Sequence, residues 1–184
     1  TLDADSKGNI WGASSQGLVS IKLKAGTTNA PAYSLKHFTL FPKDSLPDDL
    51  HFCNWVDVSR GDTVWVGTNT GLYYLAPGSK RCRFVSKVNF FVSRLFSDAS
   101  GDVWFKYSGG IGRYQAKRDR IDYFDERDGL VGETYDRLLL ADNGEFFFRG
   151  AYRWRPEMIA RNKKPPSVVF TTFKVFEQDF PLDR

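Results

Sequence analysis

Short stretches of alternating apolar and polar residues run along this chain, separated by clusters of Gly, Asp, Asn and Ser. The clearest is Val64-Trp65-Val66-Gly67-Thr68. Val64, Val66 and Thr68 project to one side and Trp65 and Gly67 to the other, the period of two that a β-strand imposes. No segment shows a helical period of useful length. The alternation predicts inner strands at Phe52–Val58, Phe90–Ser97 and Tyr135–Ala141. It predicts further strands through Trp11, Trp65 and Trp104 and at Gly71–Leu75, and outer strands at Tyr33–Thr39, Cys82–Ser86 and Arg120–Phe124.

The strands recur with a period. Asp5-Ser6-Lys7-Gly8-Asn9-Ile10-Trp11 runs on to Gly17-Leu18, Gly61-Asp62-Thr63-Val64-Trp65 to Gly71-Leu72, and Asp98-Ala99-Ser100-Gly101-Asp102-Val103-Trp104 to Gly110-Ile111. In each the later Gly follows the Trp by six positions. A degenerate fourth copy, Asp142 to Phe148, puts Phe147 at the Trp position. The aromatic anchors are spaced by 54, 39 and 43 residues. A period near 40 to 45 residues is that of four-stranded propeller blades. The longer first interval is absorbed by a Gly-, Thr-, Asn-, Ala- and Pro-rich loop at Lys24–Ala32, where insertion is cheap.

The expected fold is therefore all-β: a partial β-propeller of four-stranded antiparallel blades, about three and a half of them. Asp-x-x-Gly-Asn/Asp is a tight turn from an inner strand into the next, because Gly takes positive φ and Asp bonds its own backbone. The first unit has only Thr1–Ala4 before its turn, so the chain is expected to be part of a longer propeller with open strand edges.

Composition sharpens the picture little. The chain has 184 residues, 41% hydrophobic and 16% aromatic, with 16 Phe, which suits a packed core rich in strands. Its formal charge is +4. Much of that excess lies in Arg149, Arg153, Arg155, Arg161, Lys163 and Lys164, read as a solvated linker face or, alternatively, as an anion-binding surface. The two cysteines, Cys53 and Cys82, make neither a disulfide framework nor a zinc site, and both are expected to be buried small hydrophobes too far apart to bond. No apolar run is long enough to span a bilayer, and no signal peptide opens the chain.

Candidate chemistry is sparse. His37 and His51 are the two histidines, and no zincin, nucleophile-elbow, P-loop or paired Cys-x-x-Cys motif occurs. No catalytic residue, cofactor or metal is expected, and the repeated Asp residues are read as turn chemistry because they lack alternating calcium ligands. Ligands of a propeller meet the face where its channel opens. Loops there nominate Gln16, Asp49, His51, Asn69, Tyr107, Arg127, Asp128 and Tyr135 as ligand-binding residues, polar groups with aromatics that suit a sugar.

The pattern Asp-x-x-Gly-Asn-x-Trp-x-Gly-x-x-x-x-Gly-Leu resembles the two-component regulator propeller repeat, with Trp65 to Leu72 the nearest copy. Phe41–Asp49 and Asp128-Gly129-Leu130 resemble the loops that precede a repeat, and Arg155–Ile159 with Asn162 the propeller exit. Pro165–Phe176 resembles the first strand of a three-tyrosine β-sandwich. Departures are Phe105 and Lys106, one extra residue between Gly61 and Trp65, and the missing fourth Trp.

The resemblance implies propeller blades over residues 1–160 and a linker with the first sandwich strand over 161–184. It further implies a non-catalytic sensor in the periplasm, part of a membrane histidine kinase or hybrid regulator that responds to a glycan. Expected partners are an oligosaccharide, the remaining propeller and sandwich of the same protein, and a second copy in a homodimer, with no direct nucleic-acid contact. A propeller enzyme such as a lyase or lactonase, and a scaffold without a ligand, are the alternatives.

Overall fold

The computed structural model describes residues 1–15, 17–24, 32–38, 40, 52–128, 130, 138–141, 143–148, 152–155, 173–175 and 178–180. The fold is all-β, built of successive antiparallel meanders arranged as propeller blades. The first blade is β1 (Leu2–Ala4), β2 (Asn9–Ser14), β3 (Gly17–Lys24) and β4 (Ala32–Phe38). The second is β5 (Cys53–Val58), β6 (Val64–Thr68), β7 (Leu72–Leu75) and β8 (Arg83–Phe84). The third is β9 (Arg94–Ser97), β10 (Val103–Tyr107), β11 (Gly110–Gln115) and β12 (Arg120–Phe124). The fourth sheet shows β13 (Leu138–Leu140), β14 (Phe146–Phe148) and β15 (Tyr152–Trp154). A separate hairpin pairs β16 (Phe173–Val175) with β17 (Gln178–Phe180).

The repeat has one cause, a turn built four times with the same hydrogen bonds. Asp5 N–H donates to Asn9 O and Gly8 N–H to Asp5 O; Ser59 pairs in this way with Thr63 and Asp62, Asp98 with Asp102 and Gly101, and Ala141 with Glu145 and Gly144. The fourth residue of the turn needs a left-handed backbone, and Gly8, Gly101 and Gly144 supply it at φ 74°, 85° and 79°. In the second blade Asp62 occupies that place at φ 58°. The expected extra residue between Gly61 and Trp65 is therefore not an insertion. Asp62 stands where the other repeats have Gly, and its carboxylate accepts the Ser6 N–H (2.9 Å) and hydroxyl (2.6 Å) of the first blade.

The Gly six residues after the Trp is equally constrained. A Cβ at Gly71 (φ 151°) would lie 2.2 Å from Val88 O, and one at Gly110 (φ 145°) 2.1 Å from Phe124 O. The third strand begins pressed against the backbone that leaves its own blade, and only Gly fits there.

Alternation sends each strand's side chains into two different layers. Val64 and Val66 pack with Trp11, Leu18 and Phe38 of the first blade, whereas Trp65 and Leu72 pack with Leu95, Val103 and Phe105 of the third. Trp104, Ile111 and Phe124 pack in turn with Leu138 and Phe146 of the fourth. The recurring Trp is thus an inter-blade plug: Trp65 meets Tyr114 at 6.1 Å and Trp104 meets Phe146 at 4.9 Å. Burying each such side chain contributes roughly 1.5–3 kcal/mol. Carboxylates stitch the inner strands, which share no ladder with one another. Asp3 Oδ2 accepts Val58 N–H at 2.6 Å, and Asp57 Oδ2 accepts Ser97 N–H at 2.8 Å.

Several boundaries differ from expectation. The outer strand at Cys82–Ser86 shortens to Arg83–Phe84, because Val85 N–H and Leu72 N–H already bond to Leu72 O and Val88 O in the exit turn. The inner strand expected at Phe90–Ser97 is Arg94–Ser97; of the one expected at Tyr135–Ala141 the described residues show Leu138–Leu140, and 135–137 lie outside them. Cys82 precedes β8 and is half-buried rather than buried; both thiols are free, and burial pushes Cys53 to about 12 and Cys82 to about 11. The loop at 24–32, the segments at 41–49 and 161–170, and most of the exit at 155–159 lie outside the described residues.

Candidate functional site

The turns from second to third strand and the connections between blades converge at one end of the sheets. Val92 N–H donates to Thr68 O (2.9 Å), Leu72 N–H to Val88 O (3.1 Å) and Asn69 N–H to Phe52 O (3.2 Å). The Thr68-Asn69-Thr70-Gly71 turn is organised by the buried Thr68 hydroxyl. Its Oγ1 accepts from Gly71 N–H at 3.0 Å and Thr70 N–H at 3.1 Å and donates to Gly71 O at 2.9 Å. This leaves Asn69 at the tip. Asn54 Nδ2 donates both to Asn69 Oδ1 (3.0 Å) and to Val92 O (3.1 Å), tying an inner strand, a turn and an inter-blade connection together. Asn54 falls where β5 and β6 lose register between Cys53 and Trp55, a bulge of the kind that re-aims side chains beside binding sites.

Tyr107, Arg127 and Asp128 gather at the same end of the third blade. Tyr107 closes β10, its ring 5.4 Å from Phe90, 5.3 Å from Tyr123 and 6.5 Å from Phe105. A Cβ on Gly109 would meet the Tyr107 ring at 2.7 Å, so the ring lies over its own turn. Tyr123 and Phe91 are 48% and 49% exposed, which leaves an aromatic surface open to solvent. Arg127 is fully exposed. Its guanidinium is clamped to Asp125 through Nη2 (2.6 Å) and Nε (3.1 Å), and Asp128 Oδ2 accepts Asp125 N–H at 3.0 Å. The hydrogen bond to Asp125, and then the charge of Asp125, hold Arg127 above the usual guanidinium range, with smaller contributions from Asp128 and Tyr107. Asp125 is lowered in return, chiefly by the Arg127 hydrogen bond. Aromatic faces beside a charged rim can stack on sugar C–H groups while the rim bonds hydroxyls.

Of the eight residues nominated from sequence, Tyr107, Arg127 and Asp128 are brought together, and Asn69 occupies the matching turn one blade earlier. Gln16, Asp49, His51 and Tyr135 lie outside the described residues. Sequence reasoning missed Asn54, Trp55 and Arg94, which it treated only as strand. Arg94 lies over the Trp55 ring at 5.0 Å, and Trp55 meets Phe96 edge-on at 5.8 Å. The signal was present in the strand run itself, since a bulge at Asn54 breaks the alternation that would otherwise decide which way Trp55 faces.

The turn aspartates are structural. Asp5 accepts from Lys7 N–H, Asn9 N–H, Asn9 Nδ2 and Trp11 Nε1, and Asp98 from Ser100 N–H, the Ser100 hydroxyl, Asp102 N–H and Trp104 Nε1. Burial alone would raise both carboxyls, but these bonds together hold each below the usual carboxylate range. Among the described residues no group of three or more His, Cys, Asp or Glu is placed to hold a metal ion.

No protein-family model matches the chain. Over 101 residues it is 28% identical to a protein named histidine kinase P4 from Formosa agariphila, a match covering 52% of this chain and 7% of that protein. In structure the chain aligns over 98% of its length, with TM-score 0.59 and 15% identity, to the extracellular domain of a protein described as a hybrid two component system, BT3049, from B. thetaiotaomicron. It covers 26% of that domain. An extracellular domain from the same organism, BT4673, aligns over 86% of this chain and 29% of its own length, with TM-score 0.47 and 11% identity. The chain thus spans about a quarter of the extracellular domain whose fold it shares, and that domain belongs to a signalling protein.

Proposed function

We propose that the chain is part of the periplasmic sensor region of a membrane-anchored histidine kinase or hybrid two-component regulator, and that it binds a glycan without transforming it. The observation that carries this reading is the succession of identical turn-and-blade units, aligned over 98% of the chain with an extracellular domain of a hybrid two component system. In this reading the blades are two-component regulator propeller repeats occupying residues 1–160. The hairpin of β16 and β17 lies at the entry to a three-tyrosine β-sandwich over 161–184. The outward face of the first blade supports continuation of the ring. Leu2 is 72% exposed and Leu35 48%, although Val56 and Leu95, which match Leu2 in the next two blades, are 2% and 0% exposed under a preceding blade. A homodimer of the whole protein would carry the signal across the membrane.

Ligand binding is tested by thermal unfolding of the complete ectodomain with neutral and acidic oligosaccharides. A ligand at about 100 times its Kd stabilises the native state by about 2.7 kcal/mol. A shift with one sugar class, lost in Tyr107→Ala, supports the reading. No shift with any saccharide sinks the glycan and leaves a scaffold.

A further inference from the structure

We propose that the outer strand of the first blade, β4, is a docking edge for an extended segment of a partner protein whose side chains alternate acidic and apolar. The proposal stands apart from the glycan reading.

β3 and β4 form a longer ribbon than their counterparts. The registers set Ser20 opposite Trp11, Tyr74 opposite Trp65 and Arg113 opposite Trp104, so Lys22 matches Ala76 and Gln115. There the second and third blades turn, with Ser79 N–H donating to Ala76 O and Arg118 N–H to Gln115 O. The first blade instead runs on through the Leu23–Tyr33 and Lys24–Ala32 rungs, past the start of β2 at Asn9. Leu23 and Tyr33 are 57% and 61% exposed. They lie beyond the third-strand positions that a preceding blade covers, which in the next two blades are the buried Tyr73, Leu75, Gly112 and Tyr114.

β4 is the edge of its sheet and pairs with β3 alone among the described residues. A free edge offers a row of N–H and C=O groups to any extended chain, and proteins guard it by shortening or charging it. β8 is cut to 2 residues, and β12 carries Arg120 neutralised by Asp122 at 2.7 Å. β4 keeps 7 residues, all but Phe38 exposed. Its two faces differ in kind. Tyr33, Leu35 and His37 alternate on one side, opposite Leu23, Ile21 and Val19 of β3. Lys36 lies on the other, where Lys22 and Lys24 of β3 stand opposite the small Ser34 and Ala32. Lys36 Nζ rests 4.5 Å over the Phe38 ring, and among the described residues no carboxylate pairs with Lys22, Lys24 or Lys36.

Charge selects the occupant. A second copy pairing antiparallel along β4 would bring both sets of lysines to one face, where like charges repel. A strand with Asp or Glu at alternate positions sets its carboxylates on that face, beside Lys36 and toward Lys22 and Lys24. Its apolar residues then lie beside Tyr33 and Leu35. Backbone bonds give an added strand its affinity, and the alternating side chains give it specificity.

The experiment is fluorescence anisotropy of the complete ectodomain with three labelled octapeptides. One alternates Glu and Val, one alternates Lys and Val, and one is the Glu–Val sequence with two internal prolines, which keep the charge and block strand pairing. The unbroken acidic peptide should bind at least roughly tenfold more tightly than either other, with amide hydrogen exchange slowed over β4. The double variant Lys24→Glu, Lys36→Glu changes only exposed side chains and should keep the unfolding midpoint while reversing the preference to the Lys–Val peptide. Equal binding of the broken and unbroken acidic peptides reduces the effect to non-specific attraction and overturns the docking edge. Protection outside β4, an acidic preference that survives the charge reversal, or no binding of any peptide overturns it as well. Concentration-dependent self-association that protects β4 assigns the edge to a second copy and overturns the acidic partner.

Discussion

The Oδ2 oxygen of Asp98 accepts the indole Nε1–H of Trp104 at 2.8 Å, six residues along the chain. Asp5 and Trp11 repeat the relationship at 3.0 Å. One carboxylate closes the turn that starts the second strand and fixes the ring that plugs the gap to the next blade. Where the turn opens with Ala141, the plug position holds Phe147, which has no N–H to satisfy. The second blade keeps Trp65 with Ser59 opening the turn, so the aspartate accompanies the indole in two of the three copies that carry Trp.

That coupling is measurable. Asp98→Ala should destabilise by about 1–2 kcal/mol, toward the low end for a hydrogen-bonded charge because the carboxylate is half exposed. Trp104→Phe should cost about 1 kcal/mol or more through lost packing and an unmet Asp98 oxygen. The double variant should fall short of the sum by at least about 0.5 kcal/mol. Urea unfolding of the four proteins decides it, and strict additivity would show the bond to be inert. The carboxyl is held below its ordinary value, so its stabilisation is present above about pH 4 and is lost as pH falls through the lowered value.

Asp62 tests strain against contact. Asp62→Gly relieves the left-handed backbone but removes both bonds from Ser6; Asp62→Ala removes the bonds and keeps the strain. The expected order of melting temperature is wild type, then Gly, then Ala. An Ala variant as stable as the Gly variant would mean that φ at this position costs nothing.

The glycines after the Trp form a graded series. A Cβ at Gly17 would sit 3.1 Å from Phe38 O, against 2.1 Å for Gly110 and Phe124 O. Gly110→Ala should therefore cost more than about 3 kcal/mol or prevent folding, since backbone has to move, while Gly17→Ala should cost about 1–2 kcal/mol. Equal losses in the two would refute the steric account.

The fold was legible because its signals are local. Positive-φ turns, alternation through Val64–Thr68 and the Gly six residues after each Trp all act within one blade. Local rules failed where one blade acts on another. Asp62 reads as an insertion until its bond to Ser6 shows why Asp replaces Gly, and β8 shortens because its exit turn bonds back to Leu72. The candidate site followed the same division. Turn-tip residues such as Asn69 and Tyr107 are marked by their neighbours in sequence. Arg94 and Trp55, 39 residues apart on different blades, are joined only by the stacking of sheets.

Asp57 supplies the remaining test, because its environment works against its charge. Burial pushes its carboxyl up to about 6 from 3.8, the Ser97 bonds lower it, and the nearby Asp3 charge raises it. The native state therefore holds more protons than the unfolded chain between these values, and this residue's contribution to stability falls as pH rises from about 4 to about 6. Asp57→Asn keeps an acceptor for Ser97 N–H and removes the charge. At about pH 7 the variant should be more stable than wild type by on the order of 1–3 kcal/mol, and the gap should close as the pH is lowered to about 4, where the wild-type carboxyl is protonated in the fold. Asp5 and Asp98 titrate below their ordinary values and add nothing to this window. Chemical unfolding of both proteins across the range decides it. A gap that stays constant with pH, or a variant that is the weaker at neutral pH, would mean that the Asp57–Ser97 stitch needs the charge it carries.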